Sequence, residues 1–397
     1  MTAAPEFPFP VGPRSEPPPE YASLREQGCP HRVRLRAGGD ALGVTRYDDV
    51  RQGLSDRRFS RSANADGPLF ARSPESLPLV MADPPDHGRR RAAVRSAFSA
   101  RRVRELRPTI ERVAAGLLDG LAAGPRPADL VGGFTVPLAL AVVGGILGLS
   151  GADLRPVRQW VDPMMSAGRY PPEAVARGHR GLHDHVEAFV AGLERAEAAG
   201  DRRSGLVAEM LRCREGSGLS RAEVVTLAAG LLVAGYETTG NQMGAALYEV
   251  LTRPELADRL RAEPDRPEPV IEELLRYISV NGTGGPPHVA TEDLSLGGVV
   301  VRAGEVVVPV PDAANRDPAV FAEPDRLLPD RDRHPHLTFG AGPHYCLGAE
   351  LARLELAVGI PAVLRAFPGL RVAVPAADLR WRTDMLLRGL WELPVTW

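Results

Sequence analysis

The chain has 397 residues, of which 48 are basic and 50 acidic, for a formal net charge of −2. That balance leaves no overall basic field and excludes general nucleic-acid binding. Every basic residue is arginine, which with the many alanines, glycines and prolines reads as the codon bias of a high-GC genome. The three cysteines (Cys29, Cys213, Cys346) are odd in number and widely spaced, against a disulfide framework and for a reducing compartment.

The start is proline-rich, with no basic segment leading into an apolar one. No signal peptide or N-terminal membrane anchor is expected, and the location is read as cytoplasmic. Residues 130–152 carry no charge and match the roughly 20 residues a bilayer needs. Pro137 and two glycine pairs within them favour a buried core helix instead.

In chain order, residues 1–20 predict a flexible proline-rich arm, and residues 21–397 a single domain. Residues 21–27 read as a helix, 33–36 and 41–45 as a hairpin turned at Gly38-Gly39-Asp40, and 48–54 as a helix. Residues 60–79, rich in Ser, Pro, Gly and Asn, predict a long loop of the kind that serves as a lid or binding loop. Next comes an arginine-rich helix in which His87 and Arg91 stand four apart on one face; Arg89, Arg90, Arg95, Arg101 and Arg102 are expected to stay exposed as a basic patch. Helical patterns follow at 108–122, 137–149, 153–165, 172–199, 205–213 and 221–253. His179, His183 and His185 read as part of a surface helix rather than as a metal site.

Residues 224–236 are uncharged, so the 221–253 helix should cross the core. In its middle stand Ala234-Gly235-Tyr236-Glu237-Thr238-Thr239. A carboxylate beside hydroxyls in a buried helix is costly unless something uses them. Gly235 would leave space for a flat ligand, while a threonine bonding back to a carbonyl could equally be a local kink. Glu273 and Arg276, three apart on one helix face, suit an internal ion pair. Strands are expected at 299–301 and 305–310, and short strands and turns after residue 370. The chain then offers Phe339-Gly340-Ala341-Gly342-Pro343-His344-Tyr345-Cys346-Leu347-Gly348 ahead of an apolar helical pattern. A cysteine at that place lies near unpaired N–H groups and the positive end of a helix dipole, which favours the metal-ligating thiolate. The glycines allow close backbone approach to a flat partner, Phe339 can pack beside the sulfur, and His344 is placed to donate to an acidic group.

These strings, in this order, resemble the cytochrome P-450 superfamily of the soluble bacterial type over nearly the whole chain. The resemblance implies a mainly α fold with small β-sheets, and haem b held between a long central helix and the cysteine-loop helix. It implies Cys346 as the axial thiolate on the haem iron, with Ala234, Gly235, Phe339 and Gly348 against the cofactor. His87, Arg91 and His344 are implied as propionate partners. Glu237 and Thr238 are implied to deliver protons during O2 activation, and Glu273, Arg276 and Arg326 to form a buried structural network. Relatives usually read Pro-Arg-Val-Ala where this chain has Pro287-His288-Val289-Ala290. If His288 takes over that propionate contact, the anion should raise its pKa, and haem retention should weaken toward alkaline pH.

The chain holds no flavin or iron–sulfur motif. Electrons are therefore expected from a ferredoxin and its ferredoxin reductase, with NAD(P)H acting only indirectly, and Arg89, Arg90, Arg95 and Arg353 are candidate docking residues. The expected substrate is a largely apolar small molecule, a secondary-metabolite intermediate to be hydroxylated or epoxidised. It would be lined by residues 60–79, 160–170, 232–238, 280–285 and 385–387. Oxidative coupling or cyclisation on the same haem, without oxygen insertion, is the alternative. The Glu237–Thr238 pair argues against a haem carrier without turnover. A monomer without membrane or nucleic-acid partners is expected.

Overall fold

The alternating patterns form short strands and the long apolar stretches form helices. A computed structural model describes residues 4–10, 16–28, 30–36, 38–64, 77–281, 284–333 and 335–397. Cys29, most of the expected loop at 60–79 (residues 65–76), and residues 282–283 of an expected lining segment lie outside the described residues. The chain forms two compact units, one drawn from residues 1–72, 80–83 and 268–349, the other from 73–79, 84–267 and 350–397.

The first unit carries a six-stranded sheet. Its order is Glu6–Phe7, His31–Leu35, Asp40–Val44, Val306–Pro309, His288–Ala290 and Phe59–Ser60. The expected hairpin is there, pairing His31 with Gly43 and Arg34 with Asp40. Side chains alternate across a strand, and here both faces are apolar. Val307 joins Leu42, Val44, Val50 and Phe59 on one side, while Val308 joins Val33, Ala41, Phe7 and Tyr21 on the other. The flexible arm expected at the N-terminus is corrected over residues 4–10. Glu6–Phe7 pairs in parallel with His31–Leu35, and Phe7 and Phe9 are buried, with Phe9 edge-on to Tyr21 at 5.6 Å. Two aromatic anchors outweigh the prolines around them.

The helix Glu268–Tyr277 brings Glu273 and Arg276 together in this unit, both side chains fully buried, at 2.7 Å. The third member of the network is not Arg326. Glu273 Oε1 accepts from Arg331 Nε at 3.0 Å and from the Leu328 N–H at 2.8 Å. Arg326 turns its side chain outward to Glu323 and contributes only its carbonyl, which accepts from Arg276 at 2.9 Å. Arg331, five residues further on, brings its Nε to the same carboxylate instead.

The second unit is mainly helical, with one three-stranded sheet in the order Arg371–Val372, Pro394–Thr396 and Ala128–Asp129. Its longest helix, Arg221–Leu251, begins at a reciprocal capping box of Ser220 and Glu223 and is almost wholly buried from Tyr236 to Val250. The uncharged stretch forms Val136–Leu147, a core helix closed by Gly148 at φ 94°. The two pack so closely that a Cβ on Gly235 would stand 2.5 Å from Val143. Gly235 therefore serves helix–helix approach, correcting the expectation that its missing side chain makes room for a flat ligand. Gly178 and Gly181 on Pro172–Ala198 likewise admit the backbone and ring of Trp160, from Val157–Met164. His185 bonds the Asp153 carbonyl at 2.7 Å and lies against Trp160. Among the described residues no single helix is long and apolar enough to cross a membrane.

Removing one partner of a buried pair typically costs about 3–5 kcal/mol. Glu273→Ala is expected to lose stability of that order in urea unfolding, and Arg331→Ala a substantial part of it. Arg326→Ala should stay within about 0.5 kcal/mol of the parent.

Candidate active site

The cysteine loop belongs to the first unit. Gly340 and Gly342 adopt φ of 73° and 68°, the left-handed region that favours glycine. Gly342 also lies against Ser55, whose Cα would be 2.6 Å from an added Cβ. Its glycine is thus required by the neighbouring helix Tyr47–Ser55 as well as by the turn. Cys346 N donates to the Phe339 carbonyl at 2.8 Å, closing the loop. The Cys346 thiol is left exposed, three residues ahead of the helix Ala349–Ala366. Phe339 is half-buried between His336 and Tyr345, with ring centroids 5.8 and 6.4 Å away. At Gly348 a Cβ would meet no protein atom within 4 Å. His344 closes the short turn Gly342–His344 and is half-buried.

His288 departs from its sequence reading. It is buried in the strand His288–Ala290, and its Nε2 accepts from Arg61 Nε at 2.8 Å. A guanidinium cannot accept, so the ring proton must sit on Nδ1, a buried atom with no partner among the described residues. Burial first, then the charges of Arg61 and His344, hold its pKa down to about 3, opposed only by Asp83. The upward shift is expected of a propionate contact; the protein's own groups act in the opposite direction. Burial in turn lowers Arg61 to about 10, and its guanidinium also donates to the Val80 carbonyl at 3.1 Å. Nothing in the sequence flagged Arg61.

The remaining candidates belong to the second unit. Thr238 Oγ1 donates to the Ala234 carbonyl at 2.7 Å, one helical turn back. Ala234 itself is exposed although its helix is otherwise largely enclosed. The Glu237 side chain, 2% exposed, pairs with Arg382 at 2.7 Å and accepts from Asn241 Nδ2 at 3.3 Å. Burial raises its pKa, with Arg382 opposing and Asp162 reinforcing the shift. Adjacent in sequence, Glu237 and Thr238 turn to different partners. His87 and Arg91 share the helix Asp86–Val94, the histidine buried and the arginine half-buried.

The basic patch is smaller than expected. Arg90 is buried, with Nε on Glu223 at 2.9 Å and another nitrogen on the Leu77 carbonyl at 2.8 Å. Arg89 also pairs with Glu223, at 2.5 Å, and the arginine beside it holds that carboxyl down to about 2. Glu223 at the long helix's cap draws both inward. Arg353 pairs with Glu350 at 3.2 Å, and Arg95 stays exposed.

A loop that presents one thiol ahead of a helix, and a buried core helix carrying an acid and an alcohol in sequence, are together the features of a haem-thiolate oxygenase. The family model for cytochrome P-450 matches residues 155–370. Nocardicin C N-oxygenase of Nocardia uniformis subsp. tsuyamanensis is 41% identical over 383 residues, covering 96% of this chain and 95% of that protein. The crystal structure of HinD with NMFT and NO superposes with a TM-score of 0.92 at 40% identity over 100% of both chains. That of a cytochrome P-450 with biaryl coupling reactivity gives 0.91 at 36% identity, also over 100% of both. The chain belongs to the cytochrome P-450 family and is an oxidoreductase of the monooxygenase type. The family implies haem and O2. The residues fit that cofactor: an exposed thiol on a loop set by left-handed glycines, and a buried, unpartnered Nδ1–H on His288 suited to an anionic oxygen.

The depressed pKa of His288 fixes the sign of a pH effect. A group whose neutral form the fold favours contributes fully above its ordinary pKa of about 6.5 and loses that contribution as pH falls toward the folded value. Thermal stability of the wild type should therefore drop between about pH 7 and pH 5 more steeply than that of His288→Gln. Parallel melting curves over that range would show that His288 is not the group responsible.

Proposed function

We propose that this monooxygenase hydroxylates or epoxidises a largely apolar secondary-metabolite intermediate. Cys346 would hold the iron of haem b through its thiolate, and a ferredoxin with its reductase would supply electrons drawn indirectly from NAD(P)H. The observation that carries the reading is the exposed Cys346 thiol at the head of a helix, held by the Phe339 bond. When bound, the haem supplies O2 activation and the oxidising equivalent.

The chain's own residues supply the rest. His288, His87, Arg91 and His344 would hold the carboxylates of the cofactor. In His288 the donor is the neutral Nδ1–H, held in that tautomer by Arg61. Phe339 and Gly348 flank the thiolate in sequence, and Ala234 is the exposed residue of the long helix proposed to meet the cofactor. Glu237, whose proton affinity burial raises and Arg382 opposes, is the candidate acid, and Thr238 offers its hydroxyl oxygen as an acceptor, since its hydrogen is committed to the Ala234 carbonyl. Residues 160–170 and 385–387, both read as substrate-lining, are tied together by Leu386 N on the Met165 carbonyl at 2.8 Å and a bridge between Ser166 and Met385. Met385 and Leu387 keep that contact apolar. Residues 21–397 act as one catalytic domain, monomeric and cytoplasmic, with Arg95 an exposed member of the docking set.

A second reading, oxidative coupling or ring closure without oxygen insertion, is favoured by the similarity to the structure with biaryl coupling reactivity.

Reduced protein with carbon monoxide should show the red-shifted Soret band of a thiolate-bound haem. Cys346→Ser should lose that band, and its persistence would move the ligand elsewhere. Compounds that shift the haem spin state can then be turned over and weighed. A gain of one oxygen supports insertion, whereas loss of hydrogens or a dimer mass supports coupling.

A further inference from the structure

The carboxyl of Glu237 is tied to two other elements of its unit through one guanidinium. The same terminal nitrogen of Arg382 reaches Glu237 at 2.7 Å and Asp162 at 3.1 Å. Arg382 and Glu237 are each 2% exposed on the side chain and Asp162 15%. Asp162 lies on Val157–Met164, where its other oxygen accepts from Arg158 at 3.2 Å. Arg382 stacks 4.4 Å from the Trp391 ring, and its Nε is buried without a partner. Around the pair also stand Asn241 and the buried Tyr236, whose hydroxyl is likewise unpartnered. The Arg382 backbone is bonded to Gly389, and its neighbour Asp384 accepts from Ala167 at 2.8 Å and Arg169 at 3.1 Å. The C-terminal segment is thereby locked to the turn that follows Val157–Met164.

Two carboxylates competing for one buried cation form a coupled system. We propose that Arg382 is a positioning residue for proton delivery, holding the Glu237 carboxyl in place and setting its proton affinity against the competing claim of Asp162. This rests on the reading of Glu237 as the acid. The Arg382 charge favours the Glu237 anion, and the Asp162 charge opposes it both directly and by drawing on the same nitrogen. Arg158 moderates Asp162 from the solvent side. Tyr236, which burial keeps protonated, presents a neutral hydroxyl.

The consequence is a pair of opposite shifts that a merely structural role would not generate. In the holoenzyme, Glu237 can be followed by the infrared carboxylic-acid band that disappears in Glu237→Gln, titrated against pH. Asp162→Asn should move its midpoint to lower pH, by on the order of one unit or a tenfold change in proton affinity. Arg382→Gln should move it upward, and Arg382→Lys should bring it part of the way back. The carbon monoxide band serves as the check that each variant holds haem normally. Should Arg382→Gln fail that check, Asp162→Asn decides alone. A midpoint that stays within error of the wild type in Asp162→Asn, or moves upward there, would overturn the proposal. Peroxide release during NADPH oxidation, measured in Glu237→Gln against wild type, separates the underlying reading. If it is unchanged, Glu237 is not the acid, whatever the titrations show. If it changes while the titrations do not shift, only the role of Arg382 fails.

Discussion

Three N–H donors converge on one oxygen of Glu273: Arg276 at 2.7 Å, Arg331 at 3.0 Å and the Leu328 backbone at 2.8 Å. A buried carboxylate is tolerable only when its lone pairs are filled, and here the filling also organises the chain around it. Between Pro311–Ala314 and the cysteine loop, the described backbone has no regular ladder to hold it. Arginine forks substitute for one. Arg276 donates to the carbonyls of Asn315, Pro324 and Arg326, and Arg331 to those of Ala322, Glu323 and Arg326. Asn315 in turn receives Leu337 N at 2.6 Å and donates to Thr338 at 3.0 Å. The next residue is Phe339, whose carbonyl accepts from Cys346. The position of the thiol is thus traceable, bond by bond, to the charge on Glu273.

The same chemistry recurs elsewhere, and it explains what a chain without lysine can do. A guanidinium carries five N–H donors in a fixed plane and is weakly hydrated, so it can be buried if several acceptors are in reach. Arg90 divides itself between Glu223 and a carbonyl, Arg316 between Asp325 and the Tyr277 carbonyl. Arg61 is the unusual case, since one of its acceptors is a neutral imidazole. That partnership is possible only because His288 stays uncharged, which burial itself ensures.

How much of this was legible follows from the distance between partners along the chain. The hairpin, the long helix and the cysteine loop were readable, because their signals are periodic or packed into ten residues or so. The ion pair at Glu273 and Arg276 was readable because three residues separate them on one helix. Arg61 and His288 are 227 residues apart, and Arg382 and Asp162 are 220 apart; no local pattern links such pairs. The choice of Arg331 over Arg326 lay between two arginines five residues apart in a stretch without regular structure, where no periodicity says which one turns inward. Gly235 misled for a related reason: the missing side chain was visible, but not which neighbour used the space.

The bond from Thr238 to the Ala234 carbonyl has a direction. A carbonyl can only accept, so the hydroxyl hydrogen points back along the helix and the oxygen lone pairs point away from it. Seen from outside the helix, this side chain is therefore a Lewis base with no proton of its own to give. Anything that meets it must arrive carrying hydrogen. Because the arrangement is set by backbone geometry rather than by charge, it does not change with pH. The chain thereby places a pH-indifferent base immediately next in sequence to an acid whose affinity for protons is adjustable.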